Sequence, residues 1–340
     1  MGNTCVGIDI GASQLKMAVC AGGVPRRISV TDMPDNLVRE GRLVSPEAAA
    51  AFIKETAAKD RIRVRQCAVV IPPAMVYTRT MTMPIMTRDQ LELNFPYEFR
   101  DFITQEKDKY FYDYAVMETF FDEQNNPKEL ELIAAAALKE TVQSYVNMFR
   151  RAGFKLVTAI PDEMGYINII RSCEQARKVE PNREYCFIDL GHTATRLTFY
   201  SGIKHQATRI VEMGMRLLDT AIAEEHGVDE HTARVMKCAN NNNELDSEAC
   251  RGIFASISIE IMRALNFYRF NSPDNNLQDV FLCGGGARIV PLVRQIADDI
   301  GLPTYSVSQL FPNDSEDGDA AALCPTAIGA AMQSGRGGRE

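Results

Sequence analysis

One short pattern occurs twice in this chain of 340 residues, once around Asp9 and once around Asp189. Each copy is an apolar run that ends in the Asp, followed by one apolar residue, a Gly, and then small or hydroxylic residues: VGIDIGASQLKMAV and CFIDLGHTATRLTF. A second β-rich run then leads to a turn, at Gly22 and Gly23 or at Ser201 and Gly202, so each copy predicts a β-hairpin. A single Asp-x-Gly usually marks only a tight turn, but a duplication with matching offsets favours a shared purpose.

Such a hairpin has the chemistry to bind phosphate. The Gly permits close approach of the backbone, so the N–H groups that follow it can face an anion. An Asp at the end of a buried strand can hold a hydrated Mg²⁺ beside that anion. Two such hairpins facing each other would clamp a polyphosphate from both sides.

A third motif lies near the end of the chain, in DVFLCGGGARIVPLVRQIADDIGLP. It predicts a buried strand from Val280 to Cys283, three glycines, and a helix with Pro291 near its start and Gly301 at its end. Glycines between a strand and a helix suit close packing of a nucleoside, although the run could also be an ordinary strand-to-helix turn.

In their order, the three motifs resemble the actin-like ATPase superfamily, which includes actin, the sugar kinases and the heat-shock ATPases. There the first two motifs serve as phosphate loops and the third as the adenosine loop. The resemblance spans nearly the whole chain. It implies an α/β, actin-like (ribonuclease H-like) two-lobed fold with duplicated βββαβα cores, which binds ATP with Mg²⁺.

Composition is compatible with this fold and excludes several other classes. A chain of this length can form two lobes with separate cores, and 46% hydrophobic with 24% charged residues is typical of a soluble globular protein. The net charge of −8 argues against nucleic acid as a partner. Nine scattered cysteines suggest reduced thiols in the cytosol, and no apolar run has transmembrane length. We therefore expect a cytoplasmic protein with no direct membrane insertion.

The segment from Tyr77 to Phe154 predicts a subdomain of its own. It contains an alternating strand, then a helix with Thr87 as N-cap and Gln90 as its capping-box partner, which Pro96 should kink or divide. Two strand candidates follow, FYDYAVMETFF and LELIAAAAL. Last comes an amphipathic helix, capped by Gly153, with one apolar face: Val142, Tyr145, Val146 and Phe149.

This β-α-β-β-α insertion narrows the resemblance to one branch of the superfamily. It is similar to the variant found in the cell-division protein FtsA and in PilM, the type IV pilus assembly ATPase-like protein. The stretches IPPAMVYTRTMTMP, TRDQLELNFPYEF, DYAVM, AAAALKETVQSYVNMFRRAGFKL and PTAIGAAM look like the PilM family in order and spacing. The fold is therefore expected to carry an FtsA/PilM-type inserted subdomain.

The resemblance also implies domain boundaries. The first lobe would comprise a core at 1–76, the inserted small α/β subdomain at 77–158 and core completion at 159–188. The second lobe would comprise a core at 189–225, a small helical subdomain at 226–265 and a core with the adenosine loop at 266–320. A C-terminal helix at 321–332 would return to the first lobe, and residues 333–340 would form a disordered tail. Within the helical subdomain, the polar tract from Asn240 to Asp246 predicts a flexible exposed loop.

Roles for individual residues follow from the resemblance alone. The first phosphate loop would comprise Asp9, Gly11, Ala12, Ser13 and Lys16, and the second Gly191, His192, Thr193 and Thr195. Asp9 and Asp189 would associate with Mg²⁺, and Glu163 would polarise the attacking water, so Glu163 and Asp189 are the expected catalytic residues. The nucleoside would lie by Lys237, Gly284, Gly285, Gly286 and Arg288. Lys16 and Arg288 have an alternative role as solvated charges, and Glu163 as an acid that stabilises a helix N-terminus.

Two positions depart from the family pattern. His192 stands where Gly or Ala is usual, and its ring could crowd the phosphate or donate a hydrogen bond to it. In HTARVMK, Arg234 replaces the acid of the usual A-E-x-x-K pattern that reaches the ribose, and only Ala233 and Lys237 agree. We therefore expect slow or absent ATPase activity, with nucleotide affinity altered or the site degenerate.

The expected function is that of an assembly factor of a type IV pilus or type II secretion-like machine. The implied partner is the cytoplasmic N-terminal peptide of a bitopic PilN-like membrane protein, which would hold the chain at the inner face of the plasma membrane. A pilus ATPase and a second copy of the chain are further candidate partners. The peptide would dock in an exposed apolar groove on the inserted subdomain, because seven aromatic residues lie close together there: Phe95, Tyr97, Phe99, Phe102, Tyr110, Phe111 and Tyr112.

Three alternatives remain open at this point. An FtsA-like cell-division protein is expected to end in a basic amphipathic helix, whereas residues 333–340 are polar and Gly-rich. A small-molecule kinase would need a carboxylate base, which Asp162 or Glu163 could supply, but the inserted segment does not resemble a sugar pocket. The third alternative is a scaffold whose nucleotide site is vestigial.

Overall fold

The chain forms two compact units, Met1–Ile169 with Thr326–Glu340, and Ile170–Pro325. The structure is a computed structural model, and it describes residues 4–34, 37–39, 41–177, 183–272, 275–311 and 318–335. The first unit contains, in chain order, β1 (Thr4–Ile10), β2 (Gln14–Ala21), β3 (Val24–Asp32), β4 (Val38–Arg39), β5 (Arg42–Leu43), α1 (Pro46–Lys59), β6 (Gln66–Ile71), β7 (Val76–Pro84), α2 (Arg88–Glu98), β8 (Tyr110–Phe121), β9 (Pro127–Leu138), α3 (Lys139–Arg151), β10 (Lys155–Pro161) and α4 (Asp162–Arg177), which crosses into the second unit.

The first unit is built on a sheet with the order β10-β6-β1-β2-β3. The strands β1, β2 and β3 form an antiparallel meander, whereas β6 and β10 run parallel to β1. The turn between β2 and β3 lies at Gly22 and Gly23, which both have positive φ. Alternate side chains of β1 and β2 are buried in a core that also receives α1 and α3.

The inserted segment forms a second, three-stranded sheet with the order β7-β9-β8, within the described residues. Helix α2 begins at the predicted capping box of Thr87 and Gln90 and packs Leu91, Phe95 and Phe99 against one face of this sheet. Pro96 lies inside the helix without dividing it. Proline has no N–H, so the carbonyl of Glu92, four residues earlier, has no helical donor. Glu92 is exposed, and water can bind its carbonyl.

Helix α3 packs with the core sheet of the first unit, although the sequence groups it with the insertion. Its Tyr145, Met148 and Phe149 are buried in the same cluster as Ile8 and Ile53. The cluster under α2 draws on β7, α2, β8 and β9, and takes nothing from this helix. The amphipathic face is therefore confirmed, and its partner is the first core.

The second unit contains, in chain order, β11 (Glu184–Leu190), β12 (Thr195–Ser201), β13 (Lys204–Val211), α5 (Arg216–His226), α6 (Glu230–Ala239), α7 (Glu248–Asn271), β14 (Val280–Cys283), α8 (Val290–Ile300), β15 (Thr304–Ser306) and α9 (Gly318–Ala321), and the last helix is α10 (Pro325–Gly335). Its sheet has the order β13-β12-β11-β14-β15. Again three antiparallel strands precede two that run parallel to the first. The two units thus repeat one topology, as the duplicated sequence pattern predicts.

The tract between α6 and α7, predicted to be a flexible exposed loop, is exposed at Asn241, Asn242, Asn243 and Asp246 but not throughout. The side chains of Glu244 and Leu245 are buried there, in a short 3-10 turn. Asn240 ends α6 in the left-handed conformation, and its side-chain oxygen accepts a hydrogen bond from the Leu245 N–H at 3.0 Å. The apolar stripe of α7 is buried as predicted, at Ile257, Ile261, Leu265 and Tyr268.

Helix α10 packs on the first unit, to which residues from Thr326 onwards belong. The approach is close: a Cβ on Gly7 of β1 would overlap the carbonyl of Ala327. The buried side-chain amide of Asn168 donates to the Gly329 carbonyl at 3.0 Å. The helix ends at Gly335 and so includes the first residues of the predicted tail, while residues 336–340 lie outside the described residues. Among the described helices, none combines the length and the hydropathy needed to cross a membrane.

A pair of glycines tests the helix assignments of the second unit. Gly252 lies inside α7 and Gly227 follows α5 with φ +65°, and an added Cβ would meet no heavy atom within 4 Å at either position. We expect Gly252→Ala to stabilise the protein by about 0.5 to 1 kcal/mol, because Ala loses less backbone entropy in a helix. Gly227→Ala should destabilise it by about 1 kcal/mol, because Ala is strained at positive φ. Urea unfolding measures both, and shifts in the same direction would contradict the assignment.

Candidate functional site

The two predicted phosphate hairpins have the same tip geometry. In the first, the Gly11 N–H donates to the Gln14 carbonyl at 2.9 Å, and in the second the Gly191 N–H donates to the Ala194 carbonyl at 3.1 Å. Asp9 pairs with Lys16 across the first hairpin, and Asp189 pairs with Arg196 across the second. The repeated pattern therefore places an Asp at the same distance from a closed turn in each unit.

The backbone N–H groups at both tips are available to an anion. Within the described residues, no protein atom accepts a hydrogen bond from the backbone N–H of Ala12, Ser13, His192 or Thr193. Successive N–H groups in a tight turn form a small concave anion site. The tips thus have the donor set that a phosphate group requires.

Asp9 is held through one of its two carboxylate oxygens. Its Oδ2 lies 3.5 Å from Lys16 Nζ and accepts a hydrogen bond of 3.5 Å from the Thr326 hydroxyl. Every ion pair and hydrogen bond that the described residues make with this carboxylate involves Oδ2. The side chain is 21% exposed, so Oδ1 suits the oxygen chemistry that Mg²⁺ or its bound water requires.

Lys16 and Thr326 surround Asp9 in different ways. Lys16 is largely buried beside the carboxylate and is not a solvated charge. Thr326 was missed by sequence reasoning, although its stretch PTAIGAAM was recognised, because a contact between α10 and β1 leaves no local pattern. Burial, together with the nearby negative charge of Asp9, raises the pKa of Tyr145 to about 12.

Glu163 lies in the first turn of α4, where its backbone N–H donates to Asp162 Oδ1 at 3.1 Å. Its Oε1 accepts a hydrogen bond of 3.3 Å from the hydroxyl of Thr78 on β7. The predicted catalytic acid is therefore tied to the first strand of the inserted segment, and it also has the helix N-terminal position that the alternative interpretation requires.

The glycine-rich motif packs directly on Asp189. Gly284 has φ +82°, and a Cβ there would overlap Asp189 Oδ1. Its N–H donates to the Ala322 carbonyl at 2.9 Å, which fixes the loop from the other side. Gly286 is buried against Leu190, whereas Gly285 and Arg288 are exposed. The motif thus uses two glycines for packing and presents the third, with Arg288, to solvent.

The second hairpin is supported by a buried carboxylate that the sequence did not reveal. Asp219, on α5, is fully buried. Its oxygens lie 2.6 Å from Lys237 Nζ, 3.6 Å from Arg234 Nε and 3.9 Å from His192 Nδ1. The local signal for this residue is weak, an acid among the largely apolar residues of LLDTAI. The charge of Lys237 is consequently balanced inside the second unit.

The side chains of His192 and Thr195 both contact other residues of the second unit. The His192 ring contacts two other side chains: its Nε2 lies 3.4 Å from Arg234 Nη2, and its Nδ1 faces Asp219. Thr195 is fully buried and its hydroxyl donates to the Met213 carbonyl at 2.9 Å. Its side chain therefore holds the chain before α5 in place.

Asp9 and Asp189 are the predicted metal residues. Among the described residues, no group of three or more His, Cys, Asp or Glu side chains could hold a metal ion. Mg²⁺ at nucleotide sites usually takes most of its ligands from water and phosphate, so one or two carboxylates would be enough to hold it.

The repeated sheet order and the paired hairpins define an actin-like fold, and comparison with solved structures agrees. The structure titled PilM-PilN type IV pilus biogenesis complex has a TM-score of 0.78 and 23% identity, with 98% of each chain covered. The ethanolamine utilization protein EutJ from Carboxydothermus hydrogenoformans has a TM-score of 0.60 and 15% identity, covering 98% of this chain and 90% of that one. MreB 5 of Spiroplasma citri, bound to AMPPNP, has a TM-score of 0.50 and 12% identity, covering 96% and 94%.

The family is shown by a sequence match. The model of the type IV pilus assembly protein PilM family matches residues 7–319, which is most of the chain. This protein therefore belongs to the PilM family, and the resemblance drawn from the inserted segment is confirmed.

The buried ring of His192 predicts a pH-dependent stability. Burial first, and then the positive charge of Arg234, lower the pKa of His192 from 6.5 to about 4; Lys237 and Arg216 act in the same direction and Asp219 opposes them. The unfolded chain therefore binds a proton that the folded one does not, and the free energy of unfolding should fall as pH decreases from 6.5 to 4. His192→Gln should lose less stability between pH 7 and pH 5 than the wild type does.

Thermal unfolding at the two pH values measures this difference, with the exposed His226→Gln as the matched control. The control should keep the wild-type pH dependence. Equal losses in the wild type and in His192→Gln would show that the ring is not buried in its neutral form.

Proposed function

We propose that this PilM-family chain is an assembly factor of a type IV pilus or type II secretion-like machine, and that its two hairpin tips bind the phosphates of ATP. The observation that carries the nucleotide part is the duplicated tip: in each unit two backbone N–H groups lack a protein acceptor beside an Asp. The similar MreB 5 structure, bound to AMPPNP, shows only that a related fold can hold such a nucleotide.

Several of the predicted residues have a place in this proposal. Asp9, with Lys16 against its Oδ2, would order the water shell of Mg²⁺, and Asp189 would do so from the second hairpin. Backbone N–H groups of Ala12, Ser13, His192 and Thr193 would donate to phosphate oxygens. Gly285 and Arg288 are the exposed part of the motif that would meet the nucleoside. Glu163 would orient water, and turnover is expected to be slow or absent.

The carboxylate of Asp9 provides the sharpest test of nucleotide binding. Asp9→Asn keeps the size and the hydrogen bond from Thr326 but removes the charge, so we expect the affinity for ATP with Mg²⁺ to fall at least tenfold, about 1.4 kcal/mol. Titration calorimetry with and without Mg²⁺ measures the change.

Asp32→Asn is the matched control, because exposed Asp32 accepts a hydrogen bond from Gln14 of the same hairpin at 3.1 Å. It should bind as the wild type does. Equal affinity of Asp9→Asn and wild type would remove Asp9 from the site, and no binding by the wild type would favour the scaffold alternative.

The partner part of the proposal concerns the inserted subdomain. The related structure is a complex of PilM with PilN, and we propose that a PilN-like cytoplasmic peptide docks here, which would hold the chain at the inner face of the membrane. Strands β7 and β8 form the edges of the described inserted sheet, where an extended peptide can add by backbone hydrogen bonds. A pilus ATPase and a second copy of the chain remain further proposed partners.

The aromatic residues of this subdomain divide into two groups. Phe95, Phe99 and Tyr110 are buried in its core and Tyr112 is half-buried. The other three rings are exposed, and each lies under a cation: Tyr97 under Lys107 at 4.1 Å, Phe102 under Arg79 at 4.4 Å, and Phe111 under Lys139 at 5.6 Å. Each exposed ring is therefore accompanied by a basic side chain, which differs from the purely apolar groove that the sequence predicts.

The role of the three exposed rings can be tested without disturbing the core. The triple variant Tyr97→Ala, Phe102→Ala, Phe111→Ala should weaken capture by an immobilised PilN-like N-terminal peptide by about tenfold or more, because exposed aromatic rings often carry binding energy. Its affinity for ATP should stay unchanged. Phe270→Ala, at an exposed ring of the second unit, is the control and should bind the peptide normally. Full capture by the triple variant would place the partner site elsewhere.

A further inference from the structure

The two departures from the usual sequence pattern, His192 and Arg234, are in contact with each other. We propose that Arg234 is a positioning residue: through the His192 ring, and anchored on Asp219, it holds the second hairpin tip in the conformation that binds an anion. The effect on ligand binding rests on the proposed nucleotide function, which we call the ligand-binding arm. The contact between Arg234 and His192, the structural arm, does not depend on that function.

Asp219 supplies the anchor. A fully buried carboxylate needs charged partners, because removing it from water costs several kcal/mol. Lys237 and Arg234 lie one turn apart on α6 and both reach it, at 2.6 Å and 3.6 Å. Asp219 therefore joins α5 to α6 through these ion pairs and attracts the Arg234 guanidinium to this position.

The carbonyl side of the hairpin tip is also held by the second unit. The N–H groups of Met215 and Arg216 donate to the carbonyls of Gly191 at 3.0 Å and of His192 at 2.8 Å. Gly214 lies so close that a Cβ would overlap the His192 carbonyl. The carbonyls of the tip are thus bound to the start of α5. The N–H groups of His192 and Thr193 have no acceptor among the described protein atoms.

The His192 ring also contacts Arg234, and this contact determines the tautomer of the ring. A guanidinium can only donate, so Nε2, 3.4 Å from Arg234 Nη2, must be the acceptor. The ring proton then resides on Nδ1, which faces Asp219 at 3.9 Å. The backbone and the side chain of His192 are thus both tied to α5 and α6.

The first hairpin provides an internal comparison. Ala12 occupies the position after the Gly that His192 occupies in the second hairpin, and its methyl group can make no such contact. The first tip is instead accompanied by Lys16 and Thr326 at Asp9. The His192–Arg234 contact is therefore a feature of the second hairpin, and it accounts for both departures as one interaction.

Nitrogen NMR of the His192 ring in the full-length protein tests the structural arm. We expect the wild type to show a proton on Nδ1, Arg234→Ala to shift the ring toward a mixture of tautomers, and Arg234→Lys to keep the wild-type signature because Lys can still donate. Arg216→Ala is the matched control: it removes the same charge from an exposed side chain paired with Glu230 and leaves the backbone N–H in place. An unchanged ring in Arg234→Ala, or an equal change in Arg216→Ala, would overturn the proposal.

A double-mutant cycle on the affinity for ATP with Mg²⁺ tests the ligand-binding arm. If the two residues act as one unit, then His192→Ala, Arg234→Ala and the double variant should each bind more weakly by the same factor, between about threefold and tenfold. Arg234→Lys should restore most of the affinity. Losses that multiply in the double variant would show independent roles and contradict the inference. Absence of binding by the wild type would refute the nucleotide function, while the NMR result would still decide on the contact.

Discussion

A single backbone hydrogen bond, from a glycine N–H to the carbonyl three residues later, closes the tip of each core hairpin. This short turn brings two antiparallel strands together immediately after an Asp, and it leaves the N–H groups inside the turn without a partner among the described residues. The order of each core sheet is built outward from this hairpin, with two parallel strands added beside its first strand. The position of the Asp and the direction of the N–H groups therefore follow from the same local constraint.

The two hairpins are supported in different ways. In the first unit α10 packs on β1 with no room for a side chain at Gly7, and its Thr326 reaches Asp9 together with Lys16. In the second unit the start of α5 binds the carbonyls of the tip. Asp219 lies close to Lys237, Arg234 and His192. The glycine-rich loop then packs on Asp189 from the neighbouring parallel strand. The same local element therefore has a different set of long-range partners in each unit.

Much of the fold could be predicted because its signals are local. The alternating strands, the turn at Gly22 and Gly23, the capping box at Thr87 and the buried stripe of α7 each depend on residues a few positions apart. The site residues that sequence reasoning missed, Thr326 and Asp219, act through contacts across the fold, and such contacts leave no periodic pattern. Two further features have the same origin: Glu244 is buried, and the Thr195 hydroxyl donates to the Met213 carbonyl, because of how neighbouring elements pack.

We propose that the N–H groups of both hairpin tips bind the phosphates of a nucleotide. Hydrogen–deuterium exchange of the full-length protein, with and without ATP and Mg²⁺, measures this directly in peptides that cover residues 10–16 and 190–196. The account predicts slower exchange in both peptides and no change in the turn at residues 122–126, where Asp122 already accepts from the N–H groups of Gln124 and Asn126. Nucleotide binding with unchanged exchange at either tip would contradict it.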